Sequence, residues 1–203
     1  MSAGKILLAI GGLFVAVILI VVISAVSSYN GMVNLQQGVD SQWAQVQNVY
    51  QRRADLVPNL VNTVKGAANF EKSTLTAVTD ARASVGRVQI QGGSAPTDAQ
   101  QLAAFDRAQG QLGSALSRLL VVSEAYPQLT ATANFRDLQA QLEGTENRIA
   151  VERRNFNSAV QAYDAAIRRF PGVLLAGAFG FTARPYFAAS PGAETAPKVD
   201  FGG

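Results

Sequence analysis

The sequence predicts an all-α protein with a single N-terminal transmembrane helix, an antiparallel coiled-coil-like bundle of three to four long helices, and an extended apolar C-terminal tail. Three observations predict this class: a charge-free apolar run near the start, large apolar residues at helical spacing, and almost no alternating strand pattern. The abundance of Ala, Gln, Leu, Arg and Glu also favours helix. We therefore divide the chain into an anchor (1–28), a bundle (29–170) and a tail (171–203).

The apolar run from Ile6 to Val26 predicts a membrane anchor. As a helix it is about 30 Å long, which matches the hydrocarbon core of a bilayer. A cleavable signal peptide is the alternative, but its apolar stretch is usually shorter, about 7 to 15 residues, and Ser24–Ser27 offers no clean cleavage box. We expect anchor side chains to contact lipid, and we take as their representatives Ile6, Leu13, Phe14, Ile20 and Val26.

Charge beside the anchor predicts its orientation. Lys5 precedes the run, whereas the first basic residue after it is Arg52. The positive-inside rule then favours a cytoplasmic N-terminus and a body on the periplasmic or extracytoplasmic side. The Gly11-Gly12 pair allows two anchors to pack closely, which favours a homo-oligomer.

The first part of the bundle shows apolar residues at spacings of four and three between Val39 and Val64. Pro58 lies inside this pattern and predicts either a kink or a fresh helix start. The helical signal continues to Val85, although Gly66 and Asn69 weaken it.

A loop is predicted from Gly86 to Ala99, and Thr97 or Asp98 is expected to cap the helix that follows. That helix should end near Ala125 or Tyr126, because Pro127 disfavours helix in the residue before it. Its apolar stripe is Leu102, Phe105, Gln109, Leu112, Leu116 and Leu119.

The last helix is predicted from about Leu129 to Arg168 or Arg169, with a strict four-three spacing that is typical of an antiparallel coiled coil. Glu152 falls in this stripe, so we expect it to pair with Arg53 or another arginine, or to lie at the edge of the seam. The predicted bundle seam consists of Trp43, Tyr50, Val57, Leu112, Leu142, Ile149, Phe156 and Tyr163.

The tail from Pro171 is apolar but too short to cross a bilayer. One interpretation is a chain laid over the open end of the bundle, and the other is an apolar flap for a neighbouring subunit or the membrane interface. We expect an extended chain from about Ser190. The candidate interface residues are Leu174, Leu175, Phe179, Phe181, Tyr186 and Phe187.

The composition excludes several kinds of chemistry. The chain has no Cys and no His, which removes disulfides, Cys/His zinc sites, His-dependent nucleophiles and His-ligated haem. Seventeen basic and 14 acidic residues are scattered along it, which argues against a nucleic-acid surface. We therefore predict no catalytic, metal or cofactor site and no enzyme.

Five polar residues form a candidate network: Arg53, Asp55, Glu143, Glu146 and Arg148. One interpretation is a network with Arg52 or Arg53 that fixes helix register, and the other is a cation site or a polar contact network across helices. For Arg53 we expect a stem on the core with the guanidinium reaching water or Asp55, with a ligand-binding arginine as the alternative.

Two long stretches carry a family resemblance. YNGMVNLQQGVDSQWAQVQNVYQRRADLVPNLVNTVKG (Tyr29 to Gly66) and LEGTENRIAVERRNFNSAVQAYDAAIRRFPGVLLA (Leu142 to Ala176) resemble the two signatures of the LemA family, and EAYPQL (Glu124 to Leu129) fits between them. The resemblance implies a small bacterial membrane protein with one N-terminal helix, a helical bundle and no established enzymatic activity. The family also includes relatives in magnetosome membranes and relatives associated with membrane metalloproteases.

Two functions therefore stay open at the sequence level. The first is a non-enzymatic structural or scaffolding protein that self-assembles at the bacterial cell membrane. The second is an adaptor that presents a helical face to a membrane protease or sensor protein. The expected partners are membrane lipid, further copies of the chain and, for the adaptor, another membrane protein, with no nucleic acid and no cofactor.

Overall fold

The computed structural model describes residues 3–66, 70–88 and 94–188, and within these ranges the chain forms helices and no strand. The helices are α1 (Ala3–Lys65), α2 (Lys72–Arg87), α3 (Ala99–Ser123), α4 (Pro127–Thr130), α5 (Ala133–Arg168) and α6 (Gly172–Phe179). The all-α prediction is confirmed.

Helix α1 joins the apolar run and the first bundle helix without a break. It is 63 residues long and contains Pro58, so the helix does not start afresh there. Its residues up to Val26 are mostly exposed, whereas from Met32 onward one side is buried. The change from an exposed apolar surface to an amphipathic one marks where the bundle begins.

The bundle has up-down-up-down topology. Helices α1 and α5 are antiparallel, because Trp43 lies against Phe156 at 5.5 Å between ring centroids while Arg53, further along α1, meets Glu146, earlier in α5. Helix α2 turns back along α1, and α3 runs parallel to α1, with Phe105 5.2 Å from the Trp43 ring. The coiled-coil geometry of these helices stays a prediction.

Two groups of buried apolar side chains fill the bundle. The group nearer the apolar run surrounds Trp43, whose ring contacts Phe105, Phe156 and Phe187. The distal group lies between α1, α2, α3 and α5 and has Leu112 at its centre. All eight residues of the predicted bundle seam are buried.

Some helices begin or end at other residues than predicted, because local capping contacts set these boundaries. The stretch predicted as weakened helix separates α1, which ends at Lys65, from α2. Helix α3 begins after Asp98, whose carboxylate accepts a bond from the backbone N–H of Gln100 at 2.8 Å, and it ends at Ser123 rather than near Tyr126.

The start of the last long helix is also later than predicted. Leu129 belongs to the short helix α4, which begins at Pro127, a residue suited to a first helical position. Helix α5 begins at Ala133 because the Thr132 hydroxyl caps it by accepting the Phe135 N–H at 3.3 Å. It reaches Arg168, as predicted.

The tail is not extended throughout, because Gly172–Phe179 forms helix α6. Gly172 lets α6 pack tightly, since a Cβ there would overlap the carbonyl oxygen of Ala166. Gly180 ends the helix with φ of 75°, a conformation that favours glycine. Residues 181–188 then run back along α5 in an extended form, whereas Ser190 and beyond lie outside the described residues.

Candidate functional site

A buried arginine occupies the centre of the bundle. Arg53 of α1 is 3 % exposed. Its Nη1 donates to Oε1 of Glu146 at 2.8 Å, and its Nη2 donates to both the backbone oxygen and Oε1 of Gln109, at 2.9 and 2.6 Å. Its guanidinium also lies over the Tyr50 ring at 5.1 Å. Arg53 thus ties α1 to both α3 and α5.

A second arginine, Arg153, lies on α5 about two turns after Glu146. Arg153 pairs with Asp106 of α3 at 2.9 Å, lies over the Phe187 ring at 4.5 Å and donates to the backbone oxygen of Ala188 at 3.3 Å. This residue therefore connects α5 to α3 and to the end of the tail. The sequence analysis missed it, and the only signal was its place next to Arg154 in a basic pair.

An open cleft of about 540 Å³ is lined by residues of both ion pairs. Its α3 wall includes the small residues Gly110, Gly113, Ser114 and Ser117, and a Cβ at Gly113 would lie 3.4 Å from Nη1 of Arg53. Larger side chains at these positions would fill the cleft, so the small residues keep it open.

The electrostatics of the cleft are balanced. Each arginine has a carboxylate partner, so the cleft presents no large excess of either charge. Burial raises the pKa of the Tyr50 hydroxyl above its usual value, and the positive charges of Arg153 and Arg53 oppose that rise. In the described part of the chain, no group of three or more acidic residues is placed to hold a metal ion.

Of the five residues of the candidate polar network, the structure brings together Arg53 and Glu146. Asp55 is exposed and accepts a bond from Gln51 at 2.7 Å rather than from Arg53. Glu143 is exposed and accepts from Gln139, and Arg148 lies at a separate cleft beside Arg52. Glu152 is half-buried at the edge of the seam, where it accepts a bond from Asn155 and not from Arg53.

A clamp around Ala95 was not predicted. The Ala95 N–H donates to the Asp40 carboxylate at 2.8 Å, and its carbonyl accepts from Nη1 of Arg184 at 2.8 Å. The backbone N–H of Arg184 donates in turn to the buried carboxylate of Asp164 at 3.1 Å. The clamp fastens the loop before α3 to α1, α5 and the tail, and its sequence signal was an arginine in an apolar tail.

The end of the bundle nearest the apolar run is built from α6 and the part of α1 that follows that run. The Tyr29 ring lies 5.0 Å from Phe179 and 5.6 Å from Phe181, and Met32 packs against Gly172. We call this group of contacts the foot of the bundle.

The candidate interface residues separate into two groups. Leu174, Phe179 and Tyr186 are exposed, whereas Leu175 and Phe181 are partly buried against the core. The prediction of Phe187 as an interface residue is wrong. Phe187 is 5 % exposed and lies between Trp43 and Phe156, so its ring belongs to the core rather than to an exposed surface.

The apolar run continues from the foot as a helix that no other described part of the chain covers. The described side chains chosen to represent the anchor are all exposed, namely Leu13, Phe14, Ile20 and Val26, while the side chain of Ile6 lies outside the described part. Among the described helices, α1 is the one long and apolar enough to cross a membrane.

These features define a helical-bundle protein joined to an apolar helix of membrane-spanning length. The model of the LemA family matches residues 42–201, and the chain belongs to the LemA family. It is similar to magnetosome protein MamQ of Magnetospirillum gryphiswaldense, with 28% identity over 82% of this chain and 67% of that protein. Magnetosome proteins MamQ 1 and MamQ 2 of Paramagnetospirillum magneticum match with the same identity and coverage.

Proposed function

We propose that this protein is a membrane-anchored, non-enzymatic structural protein that self-assembles at the bacterial membrane. The observation that carries the proposal is the continuity of α1, which holds the apolar run and one side of the bundle core in a single helix. Because no flexible linker separates the two parts, contacts between anchors also fix the spacing and direction of the bodies.

The relatives support a structural role. The proteins that this chain resembles are named as magnetosome proteins, and their names state no reaction. Two ion pairs, Arg53–Glu146 and Arg153–Asp106, join different helices of the body. Such contacts hold a body in one shape, which an assembling protein needs.

The anchor offers a surface for self-association. Gly12 and Ala16 are four residues apart and share one side of α1, a spacing that lets two transmembrane helices approach closely. Space around Gly11 and Gly12 is open, with no other atom near the position of a Cβ. We propose that this side packs against the same side of another copy.

The experiment that tests self-assembly measures the mass of full-length protein in mild detergent by light scattering, with the detergent contribution subtracted. We expect several chains per particle. We also expect fewer in Gly12→Leu, which fills the contact, than in Val15→Leu, which adds bulk where no glycine is lost. A single chain per micelle for the wild type would contradict the proposal.

The open cleft favours a second candidate function. A cleft that is lined by two arginine–carboxylate pairs and by small residues, with both carboxylates partly exposed, suits a polar segment of another protein, as an adaptor for a membrane protease or sensor would need. A monomer in detergent that cross-links to a different protein in native membranes would favour the adaptor over the scaffold.

We propose an extracytoplasmic body, since Lys5 precedes the anchor and basic residues return only at Arg52. Because the chain has no cysteine, Val121→Cys on the exposed surface of α3 gives a single reactive thiol. A membrane-impermeant maleimide should label it in intact cells. Labelling that requires lysis would place the body in the cytoplasm.

A further inference from the structure

The outer side of helix α6 has no protein cover in the described structure. The helix contains no charged residue, and its inner side packs on the bundle through Gly172, Leu175 and Ala176. On its outer side Val173 is 50 % exposed and Leu174 is 67 % exposed. Phe179, the last residue of the helix, contacts Tyr29 of α1 and is still 60 % exposed. A helix that is apolar on every side is ordinarily buried on every side. The bundle covers the inner side of α6, so something outside the described structure is expected to cover the outer side.

The position of α6 indicates what covers the other side. Phe179 contacts Tyr29, which lies three residues beyond Val26, the last residue of the apolar run. At about 1.5 Å per residue, that is about 4.5 Å along α1. The exposed side of α6 is therefore continuous with the exposed surface of the membrane-spanning segment, at the level where that segment leaves the hydrocarbon.

The residues around α6 suit the boundary between lipid and water. Tyr29 and Phe179 form an aromatic pair at this level, where aromatic side chains are enriched in membrane proteins. Arg168 and Arg169 are exposed just before α6, and long basic side chains of this kind reach the phosphates of lipid headgroups.

We infer that α6 is an interfacial membrane helix: its outer side, with Val173 and Leu174, inserts into the headgroup–acyl boundary of the leaflet from which α1 emerges, and so does the exposed part of Phe179 at the end of the helix. This inference rests on the proposed membrane anchoring by α1. It adds a second attachment to the bilayer beside the first, so that the body stands on the membrane at two elements. The occupant of the exposed apolar surface is lipid rather than a second copy of the chain.

The absence of cysteine makes the test direct, because every cysteine that is introduced is a unique labelling site. A nitroxide is attached to full-length Leu174→Cys and Phe179→Cys in vesicles of phosphatidylcholine and phosphatidylglycerol, at high dilution of protein in lipid. Collision with oxygen, which concentrates in hydrocarbon, is compared with collision with a water-soluble nickel chelate, and the ratio gives the depth of each label.

Two further variants serve as references. Val22→Cys labels the membrane-spanning segment, and Val121→Cys labels the far end of α3, where the valine is 66 % exposed and so matches Leu174. Unchanged circular-dichroism melting shows that each variant is folded. We expect labels at 174 and 179 about 5–10 Å below the phosphates, with Val22 deeper and Val121 in water.

The other outcomes are distinguishable. If Val22 lies in hydrocarbon while the α6 labels are as wet as Val121, lipid docking of α6 is wrong and the anchor stands. If the α6 labels are shielded from both reagents and broaden each other's spectra, a second copy covers α6 and the inference is overturned. If Val22 itself is in water, the proposed membrane anchoring fails, and the inference fails with it.

Discussion

Arg53 shows how one charged side chain can lie in a helical core. A buried guanidinium is costly unless its donors are satisfied and its charge is balanced. Here Glu146 supplies the balancing charge and Gln109 supplies two acceptors for the terminal nitrogens, while Nε of Arg53 has no partner among the described residues. The three residues belong to three different helices, so the cost of burial is offset only when α1, α3 and α5 are in the correct register.

This arrangement predicts a measurable difference between two glutamates of α5. Glu146→Gln leaves the buried Arg53 without its carboxylate, and we expect a loss of about 1–2 kcal/mol in unfolding free energy, because Glu146 is 45 % exposed and partly screened. Glu143→Gln changes an exposed residue on the same helix and should stay within about 0.5 kcal/mol of the wild type. Denaturant unfolding in detergent measures both.

Equal stability of the two variants would contradict the role of Glu146. Equal losses of more than about 1 kcal/mol in both would instead indicate a general effect of acidic residues on α5. Reasoning from sequence singled out Arg53 because it occupies a position of the apolar stripe, between Tyr50 and Val57, and Glu146 because it is a polar residue of the second stretch that resembles the family. It could not pair them, since the spacing within one helix does not say which turns of two helices meet.

At the scale of elements, the chain after α6 packs on the bundle beside its four long helices and contributes to the core. Residues 181–188 run along α5, and Asn157 fixes their end by accepting the Phe187 N–H at 2.9 Å and donating to the Phe187 carbonyl at 3.0 Å. Tyr163 donates to the Thr182 carbonyl at 3.1 Å. An extended segment has no helix bonds of its own, so these side chains satisfy its backbone.

This packing predicts that two phenylalanines of the tail region differ sharply. Phe187→Ala leaves a cavity between Trp43 and Phe156, and we expect a loss of about 3 kcal/mol in unfolding free energy. Phe170→Ala removes a ring that is exposed and should cost less than about 0.5 kcal/mol. Thermal melting in detergent measures both, and Trp43, the only tryptophan, reports locally through its emission.

A small effect of Phe187→Ala, together with unchanged Trp43 emission, would show that the tail is not part of the core.

The helices with long apolar stripes were predictable from sequence, because an apolar stripe along a helix has to be buried against another helix. Helix α6 was not, because an apolar segment rich in glycine and alanine carries no amphipathic pattern. The boundaries at Lys65 and Ala133 depend on single caps and turns that periodicity does not register.

At the scale of the whole molecule, stability is distributed unevenly. Helices α1 and α5 share most of the core, whereas α2 has two fully buried side chains, Thr74 and Val78. Its side chain Arg82 donates to the Ala54 carbonyl of α1 at 3.0 Å, and Glu71, just before α2, lies 3.7 Å from Arg118 of α3 at an exposed ion pair. Exposed pairs of this kind contribute little.

Hydrogen exchange should therefore reveal α2 as the least stable bundle helix. We expect its amides to exchange faster than those of α3, its packing partner, and much faster than those of α5, because local opening of α2 uncovers little apolar surface. Exchange followed by mass spectrometry of peptides from the full chain in detergent measures this order. Equal protection of α2 and α5 would mean that the bundle opens only as a whole.

The uninterrupted α1 also makes the protein a lever. From Val26 to Lys65 the helix extends about 58 Å at 1.5 Å per residue, so a tilt of about 10° at the membrane would move its far end by about 10 Å. Transmembrane helices tilt when bilayer thickness changes. In the proposed arrangement, a small change in bilayer thickness would cause a large displacement of the far end of α1. Insertion of α6 into the lipid would limit this displacement by restricting the tilt of α1.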